Sequence, residues 1–219
     1  MPSPTLLLAS NSPRRKQLLA LGGWTFTTAP ADVDEAVLPG ETPREYVIRL
    51  AEAKARASAQ QAEEGQVVIG SDTSVIIDGD ILGKPADSAE AESMLRRLRG
   101  RTHQVFTGIA VFSVMDGRLA SDLCITDVPM RVYSDDEIRA YVATGDPLDK
   151  AGAYAIQHPG FQPVASMGGC FSSVMGLPHC HLARLLKEFD IHPAADLPGN
   201  CQVFLKYPCP VFPSILGTG

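Results

Sequence analysis

The chain has 219 residues, of which 45% are hydrophobic and 20% charged, so it fits one large globular domain or two small ones. Its 25 acidic and 19 basic residues give a formal charge of −6, which argues against a broad nucleic-acid-binding surface because such surfaces carry a basic excess. The longest apolar runs are far shorter than the roughly 20 residues that cross a bilayer, so we expect no membrane partner.

The cysteines and the N-terminus indicate a cytoplasmic protein. Five cysteines without a CxxC spacing fit free thiols better than a disulfide framework or a zinc site. The first residues lack the basic, apolar and small-residue layout of a secretory signal. A homodimer is the commonest symmetric assembly for such a chain, although the sequence leaves the oligomeric state open.

Strand and helix signals alternate from the start of the chain. TLLLAS has the pattern of a buried strand, residues 13–21 that of a short helix, and WTFTTA that of a second strand. Thr42 and Glu45 form a capping box with proline at the first helical position, which predicts a helix that runs to about Glu64.

The alternation continues to residue 189. The predicted elements are a hairpin at Asp78-Gly79, a helix over 88–99, a β stretch over 102–133 folded at Asp116-Gly117, a helix from a capping box at Ser134 to about Gly145, and a helix after Pro178. Interleaved strands and helices of this kind predict an α/β fold.

Residues 190–219 differ in character from the rest of the chain. They hold 5 of the 17 prolines and show no sustained periodicity, and proline at that density interrupts helices and central strands alike. We therefore expect a domain over residues 1–189 and an irregular proline-rich tail over 190–219, whose removal leaves stability nearly unchanged.

Polar residues cluster where the first strand ends, and α/β sheets bind ligands beyond the carboxyl ends of strands. ASNSPRR places Ser10 and Ser12 before a helix N-terminus and Arg14 and Arg15 in its first turn. Backbone N–H groups, the helix dipole and two guanidinium groups could thus converge on a phosphate. A surface turn followed by a basic helical turn has the same spacing, so both interpretations stay open.

A second polar cluster follows an apolar run. GSDTSV embeds Asp72 and Thr73 in a strand, where an ionised carboxylate is costly unless a metal or cation compensates it. The hairpin would return Lys84 to the same end of the sheet. A local turn capped by Asp72 and a surface position for Lys84 are the alternatives.

Two further polar residues are notable. Lys54 lies among small residues in AEAKARA, which let its stem lie along the helix, although a solvated helix face is the simpler interpretation for a single lysine. Gln157, in the glycine- and alanine-rich DKAGAYAIQ, offers both a donor and an acceptor to a base edge.

The two histidines of HCHLAR are spaced i, i+2 and share no helix face, so we expect no metal site there.

Seven motifs occur in the order and at about the spacing of the Maf family of nucleoside triphosphate pyrophosphatases: LASNSPRR, RLAEAKA, GSDTSV, LGKP, HQVFTG, DKAGAYAIQ and VMGLP. The resemblance covers about residues 4–189. It implies a mixed twisted sheet flanked by helices around a central nucleotide-binding cleft, as in inosine triphosphate pyrophosphatases. It also implies hydrolysis of dTTP and UTP, which cleans the nucleotide pool. Because that reaction needs the charge on the phosphoryl oxygens to be neutralised, we expect Mg²⁺ or Mn²⁺ as the cofactor.

The resemblance assigns roles by position. Asp72 resembles the catalytic carboxylate, and Glu35 matches a position that lines the cleft. Mg²⁺ or Mn²⁺, as a hard ion, could take oxygen ligands from Asp72 and Glu35, and the sequence leaves open whether Asp72 acts as base, as metal ligand or as both. The other positions are the phosphate-binding and catalytic cations Arg15, Lys54 and Lys84, the selectivity residues Arg14, Thr73 and Gln157, and Ser10, which lines the cleft.

The chain departs from the family pattern near its end. Cys170, Phe171 and Ser173 stand where a serine, a tyrosine and an asparagine or small residue are usual, and His158 and Pro159 follow the selectivity glutamine. These departures keep two alternatives open. One is a nucleotide-binding regulator of cell division with little turnover, and the other is a pyrophosphatase specific for 7-methyl-GTP or a purine nucleotide.

Overall fold

The computed structural model describes residues 5–217. The strands are β1 (Leu6–Leu8), β2 (Phe26–Thr28), β3 (Val67–Ile77), β4 (Asp80–Leu82), β5 (Thr102–Ser113) and β6 (Leu119–Pro129). The helices are α1 (Pro13–Ala20), α2 (Pro43–Ala59), α3 (Ser88–Leu98), α4 (Asp135–Val142), α5 (Phe171–Val174), α6 (His179–Lys187), α7 (Leu197–Leu205) and α8 (Phe212–Leu216), and 3₁₀ turns lie at Asp146–Asp149 and Ala151–Ala153.

The strands form one mixed sheet. Its order is β2-β1-β3-β5-β6, and β4 pairs with β3 away from this path. β1 runs parallel to both of its neighbours, whereas β3, β5 and β6 are antiparallel. Helices cover both faces, so the predicted α/β fold with a mixed sheet flanked by helices is confirmed.

Alternate residues of β3 face different helices, as the period of a strand requires. Val68 packs in a cluster with Ala51 and Ala55 of α2, whereas Ile69 packs with Leu182 of α6. Even-numbered positions of β3 therefore face α2, and odd-numbered positions face the layer that contains α1, α5 and α6.

The sheet opens along one edge of β3. β1 pairs with β3 only as far as Ile69, and β4 pairs with it only from Val75 onward. Among the described strands none pairs with residues 70–74 on that edge, while β5 pairs with the opposite edge. The polar sequence GSDTS fills this opening, so the fold places the expected catalytic segment at a gap in the sheet.

Two glycines bring α2 unusually close to the sheet. A Cβ atom at Gly70 would lie 2.0 Å from the carbonyl oxygen of Ala51, and one at Gly108 would lie 2.4 Å from that of Val47. No real side chain tolerates such distances. Glycine at both positions thus sets the approach of α2, and with it the position of the α2 side chains next to β3.

Local signals for element ends are mostly confirmed. Both capping boxes are present, and Asp78 and Gly79 both have positive φ, at 55° and 84°, as the predicted tight turn requires. The second helix ends at Ala59 and not near Glu64, because the following residues form turns that lead to Gly65 at φ 81°.

The expectation of an irregular tail was wrong. Residues 190–217 contain α7 and α8, and each has proline in its first turn, where the missing N–H costs no hydrogen bond. Asp196 caps α7 by accepting from the amide of Gly199. Leu197 is 1% exposed and belongs to the same core cluster as β1 and α6, so the tail is packed against the sheet.

None of the helices within residues 5–217 has the length and apolar character that crossing a bilayer requires.

Candidate active site

A cavity of about 380 Å³ lies at the gap in the sheet. The β1–α1 turn, α2, β3, the segment after β4, the 3₁₀ turns and the end of α5 all contribute to its walls. The residues assigned to the site from sequence all line it: Ser10, Arg14, Arg15, Glu35, Lys54, Asp72, Thr73, Lys84 and Gln157.

Lys54 pairs with two carboxylates inside this cavity. Its Nζ donates to Asp72 Oδ1 at 2.7 Å and lies 2.6 Å from Glu35 Oε1. Asp72 and Lys54 are buried, and the Glu35 side chain is 47% exposed. A buried carboxylate needs a cation, and here α2 supplies it. Asp72 lies within β3 in register with Gly108, which rules out the local turn considered from the sequence.

Glu35 stays ionised through its surroundings. Partial burial alone would raise its pKa, but the hydrogen bond from Lys54 and the charges of Lys54, Lys84 and Arg15 lower it below its ordinary value. The net effect is a carboxylate that keeps its negative charge in the neutral range. Two carboxylates thus face each other across one ammonium group.

Arg15 is held by three acceptors of the protein. Its Nε donates to the carbonyl of Gly176 at 2.9 Å, its Nη2 to Thr73 Oγ1 at 3.3 Å and its Nη1 to Ser10 Oγ at 3.5 Å. Burial lowers its pKa, and the neighbouring Asp72 charge opposes that shift. Arg15 therefore ties the β1–α1 turn to β3 and to the chain after α5, and its charge stays inside the cavity.

The two serines organise the N-terminus of α1. Ser10 Oγ accepts from the amide of Ser12 at 3.1 Å, and Ser12 Oγ accepts from the amide of Arg15 at 3.4 Å. The first turn of α1 borders the cavity through Pro13 and Arg14. The Ser12 and Arg15 amides are used in this way, which leaves the Arg14 amide without a partner in the described contacts. This amide and the helix dipole favour an anion at the terminus.

The remaining predicted residues reach the cavity from different elements. Arg14 is half-buried in the first turn of α1, whereas Lys84 and Gln157 are exposed. Lys84 follows β4, whose register with β3 carries the returning chain toward Thr73. Lys84 and Asp72 line the same cavity, but the hydrogen-bond partner of the carboxylate is Lys54.

The profile of the family described as Maf-like protein matches residues 5–189. This chain belongs to that family. A protein from Geotalea uraniireducens (strain Rf4) named dTTP/UTP pyrophosphatase is 47% identical over 183 residues, which cover 84% of this chain and 94% of that protein. One of the same name from Escherichia coli O157:H7 is 45% identical over 187 residues, which cover 85% and 93%. The Ham1 protein of Staphylococcus aureus superposes at TM-score 0.40 with 18% identity, over 57% of this chain and 71% of that chain.

Several residues of the Maf-like site had no assigned role from sequence. The Tyr46 hydroxyl donates to the backbone carbonyl of Glu35 at 2.9 Å, which fixes the segment that carries this carboxylate. Arg49 binds Glu41 and the carbonyl of Ala36 in the same segment. These contacts join α2 to an irregular loop, and nothing in the local sequence pattern marks them.

A buried hydrogen-bond layer lies behind Thr73. Thr107 of β5 pairs in register with Thr73, and their Oγ1 atoms are 3.1 Å apart. Thr107 Oγ1 also donates to the carbonyl of Ser173 at 2.9 Å. The motif HQVFTG contains Thr107, so a signal was present, but its partner lies 66 residues away along the chain.

The lysine of the DKAGAYAIQ motif does not act as a free cation. Lys150 is buried, and its Nζ donates to Asp146 Oδ1 at 2.9 Å and Asp149 Oδ1 at 2.6 Å. Gly152, at φ 68°, packs against Val75. These ion pairs hold the segment that carries Gln157 together, and the packing of Gly152 against Val75 fixes it to β3.

The donor set of the site suits a hard divalent cation that a ligand helps to bind. No group of three or more His, Cys, Asp or Glu side chains with the geometry of a complete metal site occurs in residues 5–217. Asp72 and Glu35 do face one position. Mg²⁺ is commonly held by one or two carboxylates together with phosphate oxygens and water, and two facing carboxylates fit that requirement.

Proposed function

We propose that this Maf-like protein hydrolyses dTTP and UTP to the nucleoside monophosphate and pyrophosphate. The observation that carries the proposal is the Lys54–Asp72 pair, buried in a cavity that Arg14, Arg15 and Lys84 also line. Such a site combines a carboxylate that is shielded from water with several cations that can bind phosphate. The names of the relatives described above support the choice of substrates.

In the proposed reaction, one set of residues binds the negative charge of the phosphates and another residue activates the water. Arg15, Lys84 and the first turn of α1 bind the phosphate oxygens, on which negative charge must be stabilised during transfer. A water molecule attacks in line with the departing pyrophosphate. Asp72 orients this water and accepts its proton, a role commonly worth about 10²- to 10⁴-fold in rate.

Asp72 and Glu35 are the residues that would hold a divalent cation, Mg²⁺ or Mn²⁺. When bound, such an ion supplies positive charge to the phosphoryl oxygens. Lys54 neutralises the same two carboxylates in the described structure. It thereby holds both side chains in place before the substrate binds.

Base selectivity is assigned to Arg14, Thr73 and Gln157. They lie on α1, on β3 and after the 3₁₀ turns, and all line the same cavity. A guanidinium offers only donors, a glutamine amide offers a donor and an acceptor, and a hydroxyl can act as either. Together these groups can discriminate nucleobases by the pattern of donors and acceptors on their edges.

The cytoplasm, with its nucleotide pool, is the proposed compartment, and the homodimer stays a prediction.

The test is a pyrophosphate-release assay. Wild-type protein is incubated with dTTP, UTP, CTP, GTP, 7-methyl-GTP and ITP in Mg²⁺, in Mn²⁺ and in EDTA. We expect the highest kcat/KM for dTTP and UTP, and loss of activity in EDTA. Nucleotide binding without release would support the cell-division regulator instead, and preference for 7-methyl-GTP or ITP would support the purine alternative.

The matched variants are Asp72→Asn and Asp127→Asn. Both change a β-strand carboxylate to its amide, but Asp127 is exposed and bonds only Gln104 in the described contacts. Asp72→Asn should lower kcat at least about 10²-fold and leave the circular dichroism spectrum unchanged, and Asp127→Asn should retain activity. Retention of more than a tenth of wild-type turnover by Asp72→Asn would contradict the role of Asp72.

A further inference from the structure

The hydroxyl groups behind the cavity form a directed chain. Arg15 Nη2 donates to Thr73 Oγ1 at 3.3 Å, the Oγ1 atoms of Thr73 and Thr107 are 3.1 Å apart, and Thr107 Oγ1 donates to the carbonyl of Ser173 at 2.9 Å. Thr107 is 0% exposed. Water therefore cannot replace its partners. The series of hydrogen bonds begins at the Arg15 guanidinium and ends at the Ser173 carbonyl.

The two ends determine the direction of every bond. A carbonyl only accepts and a guanidinium only donates, while a threonine hydroxyl has one proton and two lone pairs. Thr107 uses its proton on Ser173, so it can only accept from Thr73. Thr73 then uses its own proton on Thr107 and one lone pair on Arg15. The single hydrogen-bonding capacity that Thr73 retains is one lone pair.

We propose that Thr107 is a positioning residue for base selectivity, because it holds the Thr73 proton and leaves Thr73 only an acceptor for the substrate. The inference rests on the proposed function. Uracil and thymine carry a donor, N3–H, at the position where cytosine carries an acceptor lone pair. If Thr73 can only accept and faces this position, it forms a hydrogen bond with N3–H of uracil or thymine. Against cytosine its lone pair meets the lone pair of N3, and both groups are left without a partner. Unpaired polar groups of this kind give the strongest discrimination between similar substrates.

The first experiment compares kcat/KM for UTP and CTP in wild type, Thr107→Val and Thr107→Ser. Valine preserves the shape but releases the Thr73 proton, which can then be donated to N3 of cytosine. The UTP/CTP ratio should fall by about fivefold to tenfold in Thr107→Val, the size expected for one neutral hydrogen bond. Serine keeps the hydroxyl, so in Thr107→Ser the UTP/CTP ratio should stay within about twofold of the wild-type value.

Thr126→Val is the matched control. Thr126 is a buried threonine of the adjacent strand β6, and its Oγ1 contacts the carbonyl of Cys170, at the start of the same α5 segment. The substitution makes the same change of hydroxyl to methyl without touching Thr73, so the ratio should not change. Equal loss of UTP and CTP turnover in Thr107→Val, with an unchanged ratio, would mean a purely structural role and would overturn the inference.

A double-mutant cycle tests whether Thr107 acts through Thr73. In a Thr73→Val background, adding Thr107→Val should leave the ratio unchanged within about twofold, because the oriented hydroxyl is already absent. A further fall in this background would overturn the proposed route.

If Thr107→Val does not fold, wild-type protein still tests the idea with 3-methyluridine 5′-triphosphate, which lacks the N3–H donor. Its kcat/KM should fall by at least about tenfold relative to UTP, and equal turnover would contradict the inference. Absence of any pyrophosphate release from UTP by wild type would refute the proposed function itself. That result differs from an active enzyme in which Thr107→Val leaves the UTP/CTP ratio of kcat/KM unchanged, which would refute only the role of Thr107.

Discussion

Arg15 and Arg14 are sequence neighbours with different structural duties. Arg15 satisfies the carbonyl of Gly176 and two hydroxyl groups, and a residue 161 positions away is thereby tied to the β1–α1 turn. Arg14 borders the cavity without holding the fold in this way. The expectation that both arginines serve a ligand therefore describes only part of what Arg15 does.

These duties predict different effects of truncation. Arg15→Ala removes three hydrogen bonds, although Ser71 Oγ still donates to the Gly176 carbonyl. It should therefore lower the free energy of unfolding by about 1 to 3 kcal/mol and reduce kcat/KM for every triphosphate. Arg14→Ala should change stability by less than about 0.5 kcal/mol and should narrow the gap between UTP and GTP. Urea unfolding and steady-state kinetics measure both. Equal stability of the two variants would contradict the structural role of Arg15.

At the scale of elements, α2 carries the site's main cation. Lys54 reaches Asp72 only because α2 lies directly on β3 and β5, where Gly70 and Gly108 leave room for its backbone. Tyr46 and Arg49, on the same helix, hold the segment that contains Glu35. One helix therefore sets the distances among a buried carboxylate, an ammonium group and a loop carboxylate.

The close approach of α2 can be tested at Gly70. In Gly70→Ala the new methyl would meet the carbonyl of Ala51 at 2.0 Å, so helix and strand must separate. Overpacking of this kind costs about 1 to 3 kcal/mol, and a shift of about 1 Å at catalytic groups can cost about 10²-fold in rate. Gly168→Ala, where nothing lies within 4 Å of the new Cβ, is the control. Wild-type stability and kcat in Gly70→Ala would show that α2 does not need this contact.

The C-terminal helix α7 belongs to the core and not to a dispensable tail. Leu197→Ala should lower the free energy of unfolding by about 2 to 4 kcal/mol, because Leu197 is 1% exposed and its loss leaves a cavity. Val203→Ala, on the same helix and 79% exposed, should change it by less than about 0.5 kcal/mol. Chemical unfolding of the two variants decides the matter, and equal effects would restore the view of an unpacked tail.

At the scale of the whole molecule, buried imidazoles make stability depend on pH. Burial lowers the pKa of His103 to about 4, and burial also lowers that of His179 to about 4, against the opposing hydrogen bond to the Leu18 carbonyl. Both are neutral in folded and unfolded chains well above pH 6.5. Between pH 6.5 and 4 the unfolded chain binds protons that the folded chain does not, so stability falls as the pH falls.

The size of this effect can be measured. At pH 5 each histidine should cost about 2 kcal/mol relative to pH 7.5. In His103→Gln the titrating group is absent, and the amide can still bond the Tyr154 hydroxyl that His103 contacts at 2.8 Å. Urea unfolding at pH 7.5, 6 and 5 should therefore show a loss about 2 kcal/mol smaller in the variant than in wild type. Identical pH dependence in both proteins would mean that His103 is not the group responsible.

The sequence by itself determined what depends on a few neighbouring residues. The capping boxes at Thr42 and Ser134 and the turn at Asp78-Gly79 formed as predicted, because their hydrogen bonds and φ values involve only adjacent positions. Ordered motifs also identified the family and the residues that line the cavity.

Only the tertiary structure decided the partners that lie far apart in sequence. It made Lys54 the partner of Asp72, Gly176 that of Arg15 and Ser173 that of Thr107, and it turned a proline-rich segment into helices that bury Leu197. Local preferences act over about one helical turn or one strand pair, whereas these contacts depend on which surfaces the sheet brings together. A proline that would break a helix at its middle can begin one at its first turn, and packing against the core selects between those outcomes.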